Sequence, residues 1–546
     1  MTVICTSNKP TGQRNRESLG QFFTPPHVAD LMASWVDPLP ERITLLDAGA
    51  GTGALIAALV RRICRAPGVT RHLQVTAFEI DPSLAQSLAV CMASCRRMCE
   101  SSGISFSADI RQADFIATAA PIARGDLFAE SLPPFNVALV NPPYRKIRSD
   151  SAERLHLRSA GIETSNLYAG FLALIIRLLA PGGQLVSITP RSFCNGPYFR
   201  PFREDLLNRM TIRRIHVFDS RSAVFEQDDV LQETIIMDAV KSAEPCATIR
   251  ISSSAGAPES AVRERHLPQN AIICSTGTDR FIHIPADDTA LLAREWMGRL
   301  PATLHDLGLV VSTGRVVDFR ARPFLRDEPT NGTVPLIYPH HIRGAMIDWP
   351  RDGMRKPQAI VRCGETADLL VPAGVYVLVK RFTAKEERRR LVAALYDPTR
   401  IPYQEIGFEN HLNYIHAYGR GLSPALARGL TLFFNSTWAD HYFRALSGHT
   451  QVNAADLRAF RYPDREALER IGRAAPTGEL SQVEVDAIVI YRRPATGVNA
   501  RRELSQRAIR KPDLWYHDSD HAVLIRSNLV CHDVHFDPIQ RIMRPI

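Results

Sequence analysis

The stretch Ile43–Ile63, "ITLLDAGAGTGALIAALVRRI", limits what this chain can fold into more than any other. A β-prone run ends at Asp47, glycines follow at positions 49, 51 and 53, and an apolar helical pattern begins at once. Glycines spaced in this way allow a tight turn in which the backbone approaches a ligand closely. The same strand-to-helix rhythm returns in "LQVTAFEIDPSLAQSLAVCMASCRRM". It goes on through "FNVALVNPPY", a helix over "SNLYAGFLALIIRLLA", a "PGG" turn and the strand "QLVSITP". Further strands are expected at "IRRIHVF" and "ETIIMDAV", a hairpin closing the sheet. Repeated βα units predict an α/β fold, a Rossmann-like parallel sheet whose ligand site lies at the carboxyl ends of its strands.

The residues at those strand ends narrow the ligand. A GxGxxG dinucleotide turn needs its third glycine where this chain has Ala54, and Gly53 comes too early; the Gly-Lys-Ser/Thr ending of a Walker A loop is missing. Asp47 would repel a pyrophosphate, but it can hold the amino group of a methionine moiety or an ordered water, which favours S-adenosylmethionine. Glu79, closing "AFE", can accept both ribose hydroxyls. In "ADF", Asp114 can accept an adenine amino group while Phe115 covers the ring. Taken singly, each acid reads as a helix cap or a solvated charge. In order, at successive strand ends, they form a nucleoside pocket.

The chain has 546 residues, too many for one ordinary core. The expected division is a first domain over 1–245, a mixed α/β second domain over 246–475 and a segment 476–546 without a readable role. The polar "SSSAGAPESAVRER" reads as a surface connection between the first two. A net charge of +9 suits a polyanion partner without requiring one. The longest apolar stretch is interrupted by Arg177 and too short to span a bilayer, and the polar N-terminus lacks a secretory pattern, so a cytoplasmic protein is expected. Ten cysteines form no CxxC pair, and no metal site is expected. Cys91, Cys95 and Cys99 share a helical face and read as a packing stripe.

With "DAGAGTG", "FEID", "ADF" and "NPPY" in this order, the chain resembles the gamma-class, S-adenosylmethionine-dependent DNA adenine N6-methyltransferases of restriction-modification systems, the Eco57I-type methylases. "GQFFTPPHVADLM" resembles the segment that closes over the methionine part of the cofactor in this class, and "SGHTQVNAADLRAFRYP" resembles a stretch near the end of its target-recognition regions. The resemblance spans about residues 17–490 and is strongest to about 240. It implies a C-terminal target-recognition domain, and it sets Thr24, Asp47, Ala48, Gly49, Gly51, Glu79, Ile80, Asp114, Phe115 and Asn141 around the cofactor.

The resemblance also implies a mechanism. The side-chain oxygen of Asn141 and the carbonyl of Pro142 would each take one N–H of an exocyclic adenine amine, turning its lone pair toward the methyl donor. An adenine in a duplex must first be flipped out. Tyr144 would cover one face of it, and the second face would come from "RSFCNGPYFRPF", with Phe199 favoured and Phe193 second. Base readers are expected in "VVSTGRVVDFR", "PHHIRGAMIDWP" and "FENHLNYIHAYGRG", while "KEERRR" reads as a solvated helix face or a phosphate contact. Duplex DNA and a cognate restriction endonuclease are the expected partners of a monomer. The rivals are an RNA or protein glutamine methyltransferase, a defence methyltransferase without a simple nuclease, a fused restriction-methylation enzyme and a binding protein on a degenerate fold. No nuclease pattern precedes the glycine turn, and the acids and "NPPY" are intact.

Overall fold

A computed structural model of the chain describes residues 23–491, apart from 67, 219–232, 243, 258–260, 274–279, 286, 384–386, 448–450 and 477. The first part runs α1 (Pro26–Ser34), β1 (Arg42–Ala48), α2 (Ala54–Cys64), β2 (His72–Phe78), α3 (Pro82–Ser101), β3 (Ser105–Arg111), α4 (Phe115–Ala123) and β4 (Phe135–Val140). It continues with α5 (Ala152–Ser159), α6 (Leu167–Leu178), β5 (Leu179–Pro190), α7 (Arg200–Arg209), β6 (Thr211–Phe218), β7 (Thr234–Val240), β8 (Thr248–Ser254) and β9 (Arg263–Pro268).

Among the described residues these strands form one sheet in the order β3-β2-β1-β4-β5-β7-β6-β8-β9. β1 to β5 are parallel, and β7 runs antiparallel between β5 and β6. The apolar runs explain the middle of the sheet. In β4 every residue but Asn136 is buried, as a strand covered on both faces requires. Each aliphatic side chain buried this way contributes about 1.5–3 kcal/mol. One face packs on α1, α2 and α3, where Cys91, Cys95 and Cys99 are buried; the other packs on α4, α6 and α7. The result is the predicted α/β, Rossmann-like architecture. It brings the residues after β1, β2, β3 and β4 to one edge.

The sheet does not end near residue 245. β8 pairs parallel with β6, and β9 antiparallel with β8. The "SSS" expected in a surface connection is the end of β8, and "RER" opens β9. Ile249 and Ile251 explain this: at alternate positions they bury in the same core as Ile212 and Ile215, which outweighs the polar residues between them.

In the second half, the described residues hold a six-stranded and a five-stranded sheet. Tyr376–Lys380 and Leu412–His416 pair antiparallel within the first, and Thr333–Ile337 lies at the centre of the second. The helix Gln482–Tyr491 sets Val485 and Val489 into the same core as Leu426 and Leu430, so packing continues across the boundary expected at 475. The rest of the expected C-terminal segment lies outside the described residues. Among the described residues no helix is long and apolar enough to cross a membrane.

Candidate active site

The glycine turn after β1 is shaped by two demands. Gly51 has φ +55 and Gly53 φ +86, a region that residues with a Cβ rarely adopt. A Cβ on Gly53 would also stand 2.9 Å from Leu88 Cδ1, so the glycine that came too early for a dinucleotide turn serves the packing of α2 on α3. The turn is tied to β2 through Gly49 N–H and Ala50 N–H, which donate to the carbonyl of Phe78 at 3.0 and 2.8 Å.

Glu79, just past β2, splints the same turn. Its Oε2 accepts from Gly51 N–H and its Oε1 from Asp81 N–H, both at 2.8 Å. Burial pushes its carboxyl up, and those backbone donors hold it back only partly. Asp114 caps α4: its Oδ1 accepts from the N–H groups of Ile116 and Ala117 at 2.7 and 3.2 Å. The cap reading of this acid is therefore correct for one oxygen. Both bonds fall on Oδ1, which leaves Oδ2 for a ligand.

A cavity of about 150 Å³ opens between these elements. It brings together Gly49, Gly51, Glu79, Ile80, Asp114, Phe115 and Asn141 from the sequence-derived set. Ile80 is 55% exposed, an apolar side chain held open on the cavity wall, whereas Phe115 is buried against Phe78 and Phe171. Ala48 is buried at the end of β1 and does not line the cavity.

Asp47 lies beneath the turn, 1% exposed, and among the described residues neither carboxylate oxygen has a hydrogen-bond partner. Burial, and then the charge of Glu79, pushes its carboxyl well above the usual carboxylate range. A buried carboxylate without partners is costly. Asp47 does not itself line the cavity, so a cationic group held there would relieve that cost through an ordered water. The donor set therefore fits S-adenosylmethionine: acids for an amino group and ribose hydroxyls, and a rim of Ile80, Phe115 and Phe171 for a purine ring.

Asn141 follows β4 and stands on the cavity wall. Its amide is held at both ends. Nδ2 donates to Thr24 Oγ1 at 3.0 Å, and Oδ1 accepts from the Tyr144 hydroxyl at 2.7 Å. The Tyr144 hydroxyl also lies 3.0 Å from the carbonyl of Ile188, and burial pushes its ionisation up, so it stays a protonated donor. Thr24 thus touches the amide rather than lining the cavity. Pro142 is buried and Pro143 lines the cavity.

Phe199 is not brought to the cavity. It is 6% exposed and stacked on Tyr168, with ring centroids 5.5 Å apart. Phe193 is fully buried against Phe202, as ordinary core packing predicts. The ring of that segment that faces solvent is Tyr198, 79% exposed.

The sequence reading missed three residues. Phe171 lines the cavity from α6 and meets Phe115 at 5.1 Å. Arg145 lines it beside Glu153, to which it donates at 2.8 Å. Tyr168 joins the two aromatic segments. The glycine-phenylalanine step inside "NLYAGF" was the available signal for Phe171, since a ring one turn from the start of α6 must face the strand ends.

A sequence-family comparison agrees with this geometry. Residues 108–225, which include β4 and Asn141–Tyr144, match the family described as the Eco57I restriction-modification methylase. The type II methyltransferase M.PstI of Providencia stuartii is 41% identical over 484 residues, 88% of this chain and 94% of that protein. M.BsuBI of Bacillus subtilis, also a type II methyltransferase, is 40% identical over 87% of this chain and 94% of its own length. This chain belongs to the type II restriction-modification methyltransferases. Membership makes S-adenosylmethionine the cofactor, and the cavity lined by Glu79 and Asp114 has a chemistry that would fit it.

The second half of this type II methyltransferase contacts the loop after β5. Arg191 is paired with Glu233 at 3.0 Å, both side chains buried, and it donates to the carbonyl of Ala445. Asn195 Nδ2 donates to Asp456 Oδ1 at 3.3 Å, and burial pushes the Asp456 carboxyl up to about 6. Most of the polar residues expected to read bases are bonded internally. Asn413 donates to the carbonyl of Val452 at 2.7 Å, His416 lies 2.9 Å from Ser312 Oγ, and His341 accepts from Tyr338 N–H. The described end of "KEERRR" is no solvated helix face: Arg389 bonds Gln482 and the carbonyls of Phe434 and Ser436, and Arg390 is buried over Phe443. Phe319, Arg320, His340, Arg343, Tyr418 and Arg420 remain exposed.

Proposed function

We propose that this protein methylates N6 of a flipped-out adenine at specific sites in duplex DNA, as the modification component of a restriction-modification system. The observation that carries the reading is Asn141: an uncharged amide at the end of β4, on the wall of the cofactor cavity, with its orientation held by Thr24 and Tyr144. S-adenosylmethionine, when bound, supplies a methyl group on a positively charged sulfur. The protein's task is to make a poor nucleophile attack it.

An amide oxygen has two lone pairs, so Asn141 Oδ1 can accept an N6–H while it keeps the phenol of Tyr144. The carbonyl of Pro142 takes the other N6–H. With both hydrogens held to one side, the nitrogen lone pair points out of the ring plane toward the methyl group. The methyl would pass from sulfur to nitrogen, the sulfonium becoming a neutral thioether, and one N6 proton would leave to solvent. Neither acceptor needs to ionise, and the two prolines hold both in place beforehand, so little order is lost when the base arrives. Tyr144 covers the base, and the second face falls to the segment after β5, whose exposed ring is Tyr198. Stacking contributes on the order of 1–3 kcal/mol per base, comparable to the few kcal/mol that flipping costs. Sequence reading falls to the exposed side chains of the second half. A restriction endonuclease acting on the same site is the expected companion.

The test is transfer of tritiated methyl from S-adenosylmethionine to duplex DNA, matched RNA and protein, followed by nucleoside analysis. Label in N6-methyladenine of duplex DNA is expected. Asn141→Ala should abolish transfer while DNA still binds. Label in cytosine, RNA or glutamine, or full activity of Asn141→Ala, would sink the proposal.

A further inference from the structure

We infer that Tyr168 is a positioning residue that sets the gap between the two aromatic segments assigned to the extruded base. This rests on the proposed adenine-flipping activity. Tyr144 follows β4, whereas the loop after β5 ends on the exposed Tyr198 and the buried Phe199 that anchors it. A base held against rings from two separate loops requires those loops to keep a fixed spacing, because aromatic pairs stack only over centroid distances of about 4.5–7 Å.

Tyr168 is the ring common to both. It lies edge-on to Tyr144, with centroids 6.3 Å apart at 85°, and is stacked on Phe199 at 5.5 Å and 28°. Its Oη is 2.7 Å from Ser192 Oγ, at the start of the loop that leads to Phe199. Tyr168 itself sits in the first turn of α6, a helix whose apolar side chains are buried against the sheet. The side chain therefore carries the rigidity of a packed helix to both loops, the arrangement that precise sites require.

A plain core role would need only the ring. The hydroxyl distinguishes the two accounts, because a phenylalanine fills the same space without a polar atom. Burial keeps the phenol protonated, and its partner belongs to the loop rather than to α6. The Tyr168–Ser192 bond thus anchors the loop to the helix, and the stack on Phe199 anchors its far end.

The experiment uses the full-length protein with Tyr168→Phe, Ser192→Ala, the double variant and Tyr168→Leu. Wild-type protein first maps the modified adenine on plasmid DNA; an oligonucleotide with 2-aminopurine at that position then reports flipping. Tyr168→Phe and Ser192→Ala should each lower kcat about 3–10-fold, the size of one neutral hydrogen bond. KM for S-adenosylmethionine should not change. The double variant should be no slower than Tyr168→Phe, since the phenol that Ser192 bonds is already gone there. Tyr168→Leu should lose most of the 2-aminopurine fluorescence while binding S-adenosylmethionine, measured by calorimetry, as wild type does. Additive losses, an unchanged kcat in Tyr168→Phe, or losses confined to KM for the cofactor would overturn the inference. If wild-type protein modifies no adenine, the functional reading itself fails, and this is seen before any variant is made.

Discussion

At the ends of β2 and β3 two carboxylates line a cavity, a third at the end of β1 lies buried beneath the glycine turn, and their hydrogen bonds among the described residues are incomplete. Among the described residues Asp47 has none, Asp114 uses one oxygen for the α4 cap, and Glu79 takes only backbone donors. In the strand Leu412–His416, the polar side chains are as deeply buried, yet Asn413 and His416 are bonded to neighbouring strands and loops. The difference separates polar residues that wait for a ligand from polar residues that hold a fold. Burial alone does not tell them apart; incomplete partnering beside a cavity does.

The largest effect that follows from this contrast is on Glu79. Glu79→Ala removes the splint on Gly51 and, with it, the acceptor proposed for the ribose hydroxyls. Two charge-assisted hydrogen bonds contribute about 1.5–3 kcal/mol each, so S-adenosylmethionine affinity should fall by about 100-fold or more, measured by calorimetry on folded protein. Affinity within a few-fold of wild type would break the comparison on the cavity side.

Asn413→Ala tests the other side. The substitution leaves the Val452 carbonyl without its 2.7 Å donor in a buried setting. Stability to urea should drop by about 2–3 kcal/mol, while cofactor affinity below the transition stays at the wild-type value. If instead stability holds and the choice of DNA sequence changes, Asn413 is a reader rather than a strut.

The same contrast explains what could be read in the chain beforehand. The strand-glycine-helix signature, the acids at strand ends and "NPPY" were legible because each is local: spacing of a few residues sets the geometry, and the parallel sheet gathers the ends. The end of the sheet was not legible, since β8 and β9 join through pairing with β6, and the serines and arginines around Ile249 and Ile251 look like a linker until that pairing is known. The site's missing parts failed for a similar reason. Thr24 was placed on the cofactor, but it is its contact with Asn141, 117 positions away, that the fold provides. In the second half, Asn413, His416 and His341, which resembled base readers, are consumed by internal contacts, such as Asn413 with Val452, which no local pattern announces.

The exposed cations of the second half provide the smallest and most selective test. Arg420 stands at the tip of the turn after Leu412–His416, beside Tyr418, which is 67% exposed with φ +49. Its backbone pairs with Ala417, so the turn is fixed although the guanidinium is exposed. A guanidinium that contacts a phosphate adds a salt-dependent contribution shared by all sequences, whereas one that reaches guanine adds discrimination of about 1–3 kcal/mol at one position. Arg420→Ala should weaken DNA binding by a few-fold, lower the salt dependence by about one released ion, and leave cofactor affinity and folding unchanged. Filter binding across a salt series, on cognate and scrambled duplexes, separates the outcomes. A uniform loss makes Arg420 a backbone contact, and a loss confined to the cognate duplex makes it a base reader. No loss on either duplex would place the DNA away from this turn, and recognition would then fall to Arg320 and Phe319, the exposed pair whose guanidinium and ring centres are 5.4 Å apart.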